Sequence, residues 1–322
     1  MFASPKMKSR FGVFFIGLLI LALLLAGCGK AGNSNESAND NAANKEKVVK
    51  DAMGHKVTIP AHPKRIIAPY LEDPLIVLGE KPVAQWSVAN GIQDYLQAHL
   101  KNVPKINYNL PPEEVVSFNP DLIIVSSESL VQKGLYEKYS KIAPTYVLGD
   151  KTASDWRKTL LKLGELLNKS DQAKKALQDY DKKAAEAKEK LHQALGDKKV
   201  AILWLTQKQF YVVDPTRSSG AVLYHDLGLN VPKMVQDLPK DPNATWKPVS
   251  LEKLADLDAD EIFLVNSDKG QGDTVLNNPV WKNLPAVKAG HVYEMSQKSS
   301  WLYSGLIANE QIIDDVEKAL LK

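Results

Sequence analysis

The 322 residues contain one cysteine, Cys28, and six histidines, the side chains best suited to nucleophilic or metal chemistry. Cys28 has no intramolecular partner, so a disulfide framework is ruled out and its thiol is available for another bond. The histidines, His55, His62, His99, His192, His225 and His291, show no paired ligand spacing and no His-rich tract, which argues against a direct zinc or manganese binder. There is no Gly-x-Ser-x-Gly elbow, Ser-x-x-Lys, His-Glu-x-x-His or phosphate loop. Ser218-Ser219-Gly220 has no neighbouring features that would make a nucleophile. An extracellular cell-envelope enzyme is therefore the disfavoured reading, and a binding protein the favoured one.

The elements around Cys28 say what its thiol is for. Lys6, Lys8 and Arg10 make a positive head, residues 11–25 an apolar run, and Leu25-Ala26-Gly27-Cys28 closes it with small residues. The run falls short of the roughly 20 apolar residues that span a bilayer, so residues 1–27 read as a cleaved secretion signal. Leu25-Ala26-Gly27-Cys28 resembles the lipobox of bacterial lipoproteins, which implies diacylglycerol on the Cys28 sulfur. Each buried CH₂ of such lipid contributes about 0.8 kcal/mol, and two chains anchor stably. The expected location is the extracytoplasmic face of the cell membrane. Removing the signal takes away three of the 41 basic residues and leaves them equal to the 38 acidic ones, so charge gives no argument for nucleic acid.

Residues 28–47 are small and polar and read as a flexible tether with an end-to-end distance of roughly 25 Å. The remainder is α/β in pattern. Buried strands are expected at 65–68, 83–86, 121–125, 200–204, 210–213, 261–265 and 291–293, alternating with helices, including ones near 220–227, 250–256 and 304–321. The organisation read from this is an N-terminal α/β lobe over 48–153, linking helices over 154–195 and a C-terminal α/β lobe over 196–322. Between the lobes, Ala173, Ala176, Leu177, Tyr180, Ala184, Ala187 and Leu191 recur at three and four with no Gly or Pro among them, after an N-cap at Ser170 and before a stop at Gly196. This predicts a single helix over 171–195, roughly 36 Å long, joining the lobes.

The halves also echo each other. The stretch from Glu113 to Val125 lines up with the stretch from Glu252 to Leu264, each a short helix that runs through an Asp-containing turn into a buried strand.

Five segments in order carry a resemblance over residues 48–320: Val57-Thr58-Ile59-Pro60-Ala61-His62-Pro63-Lys64-Arg65-Ile66-Ile67, Leu78-Gly79-Glu80-Lys81-Pro82-Val83, Asn119-Pro120-Asp121-Leu122-Ile123-Ile124, Leu223-Tyr224-His225-Asp226-Leu227-Gly228-Leu229 and Val249-Ser250-Leu251-Glu252-Lys253-Leu254. Together with the anchor and the spanning helix, they resemble the helical-backbone substrate-binding lipoproteins of ABC importers that carry ferric siderophores, relatives of the vitamin B12 and haem binders. The resemblance implies a cleft between two lobes that holds an iron(III) chelate, with haem or a cobalamin-type ligand as the alternative. It implies no intrinsic cofactor and no direct metal ligand, since iron(III) arrives inside its siderophore. It also implies a monomer that docks on permease subunits driven by an ATPase. One acid near the start of a helix in each lobe would pair with permease arginines: Glu252 in the second lobe, Glu72 or Asp73 in the first.

A chelate of this kind presents a bulky, polar or anionic surface, so its cleft needs aromatic walls and a few cationic or hydroxyl donors on strand-to-helix loops. Arg217 is the foremost candidate. Trp86, Ser126, Trp204, Tyr211, Trp246, Trp301 and Tyr303 complete the expected set, with Lys208, Lys247, Lys269 and Lys298 as further cations. The sequence leaves the particular siderophore open.

Overall fold

The computed structural model describes residues 45–321 except 90, 240, 242, 243, 271 and 272. The signal, Cys28 and the tether as far as residue 44 lie outside the described residues. Among the described residues no helix is long and apolar enough to cross a membrane.

A hairpin of β1 (Lys47–Lys50) and β2 (Lys56–Ile59) opens the N-terminal half. There follow β3 (Ile66–Ile67), α1 (Glu72–Val77), β4 (Gln85–Val88), β5 (Gly91–Ile92), β6 (Lys105–Asn107), α2 (Pro112–Ser117), β7 (Leu122–Val125) and β8 (Thr145–Val147). β7 lies between β3 and β8, parallel to both, and all four of its residues are buried. A strand covered on both faces needs just such an unbroken apolar run. β4 pairs with β6 in parallel and with β5 antiparallel.

Two helices follow. The Asp155 carboxylate accepts the backbone N–H groups of Arg157 and Lys158, both at 3.1 Å, and so caps α3 (Trp156–Leu166). The joining helix α4 (Ser170–Leu195) takes Ser170 as its first residue rather than as a cap, and no side chain caps it. It ends where Gly196 adopts a φ of 53°, a conformation that a side chain would resist. Its buried stripe is Ala173, Tyr180, Ala184, Ala187, Leu191 and Leu195. Three alanines keep that stripe narrow, and the helix packs against α3 and against the helix over residues 306–320.

The C-terminal half is β9 (Val200–Thr206), β10 (Gln209–Val213), β11 (Trp246–Val249), α5 (Leu251–Leu254), β12 (Glu261–Asn266), β13 (Val292–Ser296) and α6 (Leu306–Leu320), with a helical stretch over residues 218–226. The five strands form one sheet in the order β11-β10-β9-β12-β13, parallel from β9 through β12 to β13 and antiparallel beyond β9. The fold is therefore α/β, with two lobes joined by one long helix.

The sequence echo has a structural counterpart. Asp121, just before β7, accepts the backbone N–H groups of Lys64 at 2.7 Å and Arg65 at 2.9 Å, which lead into the neighbouring parallel strand β3. Asp260, just before β12, accepts the N–H of Lys199 at 2.7 Å, which leads into its parallel neighbour β9. In each half the same aspartate of the repeat ties down the entry to the next strand.

Beside a further cluster within each half, one apolar cluster joins the halves through α4. It takes Ile66, Leu75 and Ile124 from the first half, Ala173, Tyr180 and Ala187 from α4, and Val200, Ile202, Phe263 and Ile312 from the second. On β9, Val200 and Ile202 share one face with Trp204 and Thr206, since side chains alternate along a strand. That face is core at the start of the strand and turns partly exposed at its carboxyl end.

Candidate functional site

At that carboxyl end a cavity of about 770 Å³ opens between the halves. Val88 at the end of β4, with Gly91, Ile92 and Asp94, lines it from the first half. Thr206, Ser267 and Lys298, at or beyond the ends of β9, β12 and β13, line it from the second. Open α/β sheets place ligands beyond the carboxyl ends of their parallel strands, where backbone groups and loops converge. The aromatic wall follows from strand register. Trp204 stands opposite Tyr211 in the β9–β10 pair, with ring centroids 5.4 Å apart, and Trp246 on β11 meets Trp204 edge-on at 5.7 Å. The Trp204 indole donates to Ser267 Oγ at 2.9 Å, which fixes the ring.

Tyr303 bridges the two sides. Its hydroxyl donates to the Ile92 carbonyl at 3.3 Å, and its ring stands 5.0 Å from Tyr95 and 6.2 Å from Tyr70. The segment that carries it is held by Ser218, whose hydroxyl donates to the Tyr303 carbonyl at 2.7 Å. Tyr70 has a φ of 63°, rare for an aromatic residue, and meets Trp86 edge-on at 5.1 Å. A second cavity of about 160 Å³ lies beside this cluster, lined by Tyr70, Ser126, Trp156, Ser304 and Gly305 among others.

Four of the expected ligand residues, Trp204, Tyr211, Trp246 and Tyr303, thus share the main cavity. Ser126 lines the smaller one, and Trp86 touches the cluster through Tyr70. Arg217 stands instead in a neighbouring groove of about 430 Å³ with Asp214, Thr216 and Lys247. Lys247 is paired there with Asp214 at 2.9 Å. Lys269 pairs with Glu294 at 2.9 Å, so of the expected cations Lys298 is the one on the main cavity. Trp301 is a core residue. Its polar neighbours Ser299 and Ser300 read as an open loop, yet its ring is fully buried, stacked on Phe263 at 4.7 Å, and its indole N–H donates to Asp315 at 2.9 Å. Asp94, Thr206 and Ser267 are not among the expected residues, because a single acid or hydroxyl at a strand end or turn carries no local signature.

Both acids of the first lobe are interior. Glu72 is 0% exposed and Asp73 2%, so neither presents a carboxylate on the surface. Glu72 Oε1 accepts the Trp86 backbone N–H at 2.6 Å, while Oε2 is buried without a partner among the described residues. Asp73 accepts the N–H groups of Ile307 and Ala308, where it caps α6, and the Tyr95 hydroxyl at 3.1 Å. Burial pushes Glu72 up to about 7 and Asp73 up to about 6. Glu252, in contrast, is exposed in the first turn of α5. Its own backbone N–H and the Ser250 hydroxyl hold it below the ordinary glutamate value, so it is ionised. Among the described residues no group of three or more His, Cys, Asp or Glu stands together as metal ligands would.

Two lobes on one helix, with a wide aromatic cleft at the strand ends, define a ligand-carrying protein of the transport type. The chain belongs to the periplasmic binding protein family, whose model matches residues 72–298. It is 35% identical over 292 residues to the iron(3+)-hydroxamate-binding protein FhuD of Bacillus subtilis, covering 89% of this chain and 90% of that one. It is 32% identical over 322 residues to the iron(3+)-hydroxamate-binding protein YxeB of the same organism, covering 96% and 97%. The crystal structure of the FhuD fold-family protein BSU3320 of B. subtilis, a binding component of a ferrichrome ABC transporter, superposes with a TM-score of 0.70 at 30% identity, over 85% of this chain and 100% of that one. This is a family of transport binding proteins, not of enzymes.

Proposed function

We propose that this chain is the substrate-binding component of an ABC importer, which captures an iron(III)-siderophore complex outside the cell and delivers it to a membrane permease and its ATPase. The cavity of about 770 Å³ walled by Trp204, Tyr211, Trp246 and Tyr303 carries this reading. Its volume lies within the roughly 300–1,000 Å³ of small-molecule sites. The hydroxamate-binding names of two relatives that span most of the chain point to ferric hydroxamates as the ligand class. Iron enters already chelated, so the chain needs no resident cofactor. Titrating the mature protein with ferric hydroxamates, ferric citrate, ferric catecholates, haem and a cobalamin tests this by tryptophan fluorescence, because two tryptophans line the cavity. Saturable one-to-one quenching by a ferric hydroxamate is the expected result, and no response to any ferric chelate overturns the reading.

Cys28 holds the protein by lipid on the extracytoplasmic face of the cell membrane. Cys28→Ala then releases the protein from the membrane fraction, and its retention there overturns the anchor.

Docking on the permease uses Glu252 in the second lobe and Glu113 in the first, with the chain acting as a monomer. Glu113 replaces the buried Glu72 and Asp73 because it is exposed in the first turn of α2 and occupies the place in the repeat that Glu252 holds in the other half. The matching clamps of Asp121 and Asp260, each eight residues further along, support that equivalence.

A further inference from the structure

We propose that Asp94 makes this receptor selective for ferric chelates that carry a protonated amine. The inference rests on the proposed binding of ferric chelates in the cleft and adds the charge of the preferred ligand. Asp94 begins a single helical turn, Asp94–Leu96, on the first-half side of the main cavity, and is partly buried. Among the described residues its carboxylate makes no hydrogen bond and no ion pair, whereas Asp214 beside the next groove is matched by Lys247. A carboxylate facing a cavity with no cation of its own is suited to one supplied by the ligand. Its charge reaches the cavity wall: after burial, the negative charge of Asp94 is the second cause that raises the Tyr303 phenol above its usual value.

The rest of the wall agrees in sign. The faces of Trp204, Tyr211, Trp246 and Tyr303 are electron-rich and attract cations. The opposing charge is Lys298, an exposed residue on a long flexible stem across the cavity, where water and salt screen it more than they screen a partly buried carboxylate on a short stem. Among the described residues no arginine lines this cavity, since Arg217 faces the neighbouring groove. A tris-catecholate chelate, with several negative charges, would therefore set them against Asp94 with one exposed lysine in compensation. A ferric tris-hydroxamate is neutral at its iron centre, and with an ammonium arm it carries one positive charge that Asp94 can accept.

The test compares the mature protein with Asp94→Asn, using ferrioxamine B, which bears a free ammonium, and its N-acetylated form, which does not. The native protein is expected to bind the ammonium form about tenfold more tightly, the size of one charge-assisted hydrogen bond. Asp94→Asn should erase that preference by weakening the ammonium form alone, with an unchanged melting temperature because no intramolecular bond is lost. Acetylation also adds bulk, but a preference caused by bulk would persist in Asp94→Asn. Equal affinities in the native protein, a preference that survives in Asp94→Asn, or an equal loss for both ligands overturns the inference while leaving the proposed function intact. Binding of neither ligand, nor of any other ferric chelate, overturns both.

Discussion

The carboxylate of Asp73 accepts the backbone N–H of Ala308 at 3.0 Å, a bond that closes 235 residues of chain and ties α1 to the start of α6. The fit around it is tight, since a Cβ on Gly305 would lie 2.4 Å from Asp73 Cγ. Gly305→Ala must push this carboxylate off the helix end and is expected to cost about 1–3 kcal/mol. Asp73→Ala loses the cap at a cost of about 1–2 kcal/mol, and Asp73→Asn, which keeps an acceptor, should cost less. Urea unfolding of the three variants checks the order.

The same pair of acids should make stability depend on pH. Glu72 is raised from 4.5 to about 7 and Asp73 from 3.8 to about 6, chiefly by burial, so the folded state keeps their protons to higher pH than the unfolded chain does. Their contribution to unfolding free energy therefore falls as pH rises from about 4 to about 7 and is level above that. For Glu72 alone the change is on the order of 3 kcal/mol. Glu72→Gln mimics the protonated acid, so it should flatten the profile and be more stable than the native protein at pH 8. A native profile with the same slope as that of Glu72→Gln between pH 5 and 8 would show that burial does not govern this carboxyl.

Trp301 and Trp246 separate core from cleft. Trp301→Ala removes a fully buried ring and is expected to cost about 3–5 kcal/mol. Trp246→Ala trims a partly exposed wall and should weaken chelate binding with a smaller loss of stability. Thermal unfolding and ligand titration on both variants give the comparison.

A network joins α3, α4 and the second lobe. The Tyr180 hydroxyl donates to Asp226 at 2.6 Å, while Arg157 reaches Asp226 at 3.3 Å and Asp181 at 2.6 Å and lies 4.5 Å above the Trp156 ring. Tyr180→Phe leaves a mostly buried Asp226 oxygen short of a donor, at a cost of about 1–3 kcal/mol. At about 2–4 °C per kcal/mol for a body of this size, the melting temperature should drop by several degrees.

Glu113→Arg and Glu252→Arg should each reduce import into cells and together abolish it, with chelate affinity unchanged in vitro. Loss of affinity in either variant would instead place that acid at the ligand.

Local pattern carried much of this fold. The joining helix was legible because its apolar residues recur at three and four without interruption, and β7 and β12 because their apolar runs are unbroken. The aromatic wall was legible as residue types at strand ends, although only the pairing of Tyr211 with Trp204 shows that they meet. What the sequence withheld depends on distant partners. An acid in a first helical turn looks alike whether solvated or buried, and the burial of Asp73 is decided by residues 305–308. Trp301 sits among serines, and Phe263 and Asp315 draw it inward. The loop of Arg217 suits it to the ligand by sequence, but the chain turns it toward the next groove, while its neighbour Ser218 positions Tyr303.

The shared core has a consequence for how this receptor fails. Because α4 contributes side chains to the apolar cluster that joins the two lobes, melting of either lobe strips part of that cluster from the other and lowers its stability. Damage on one side is felt on the other.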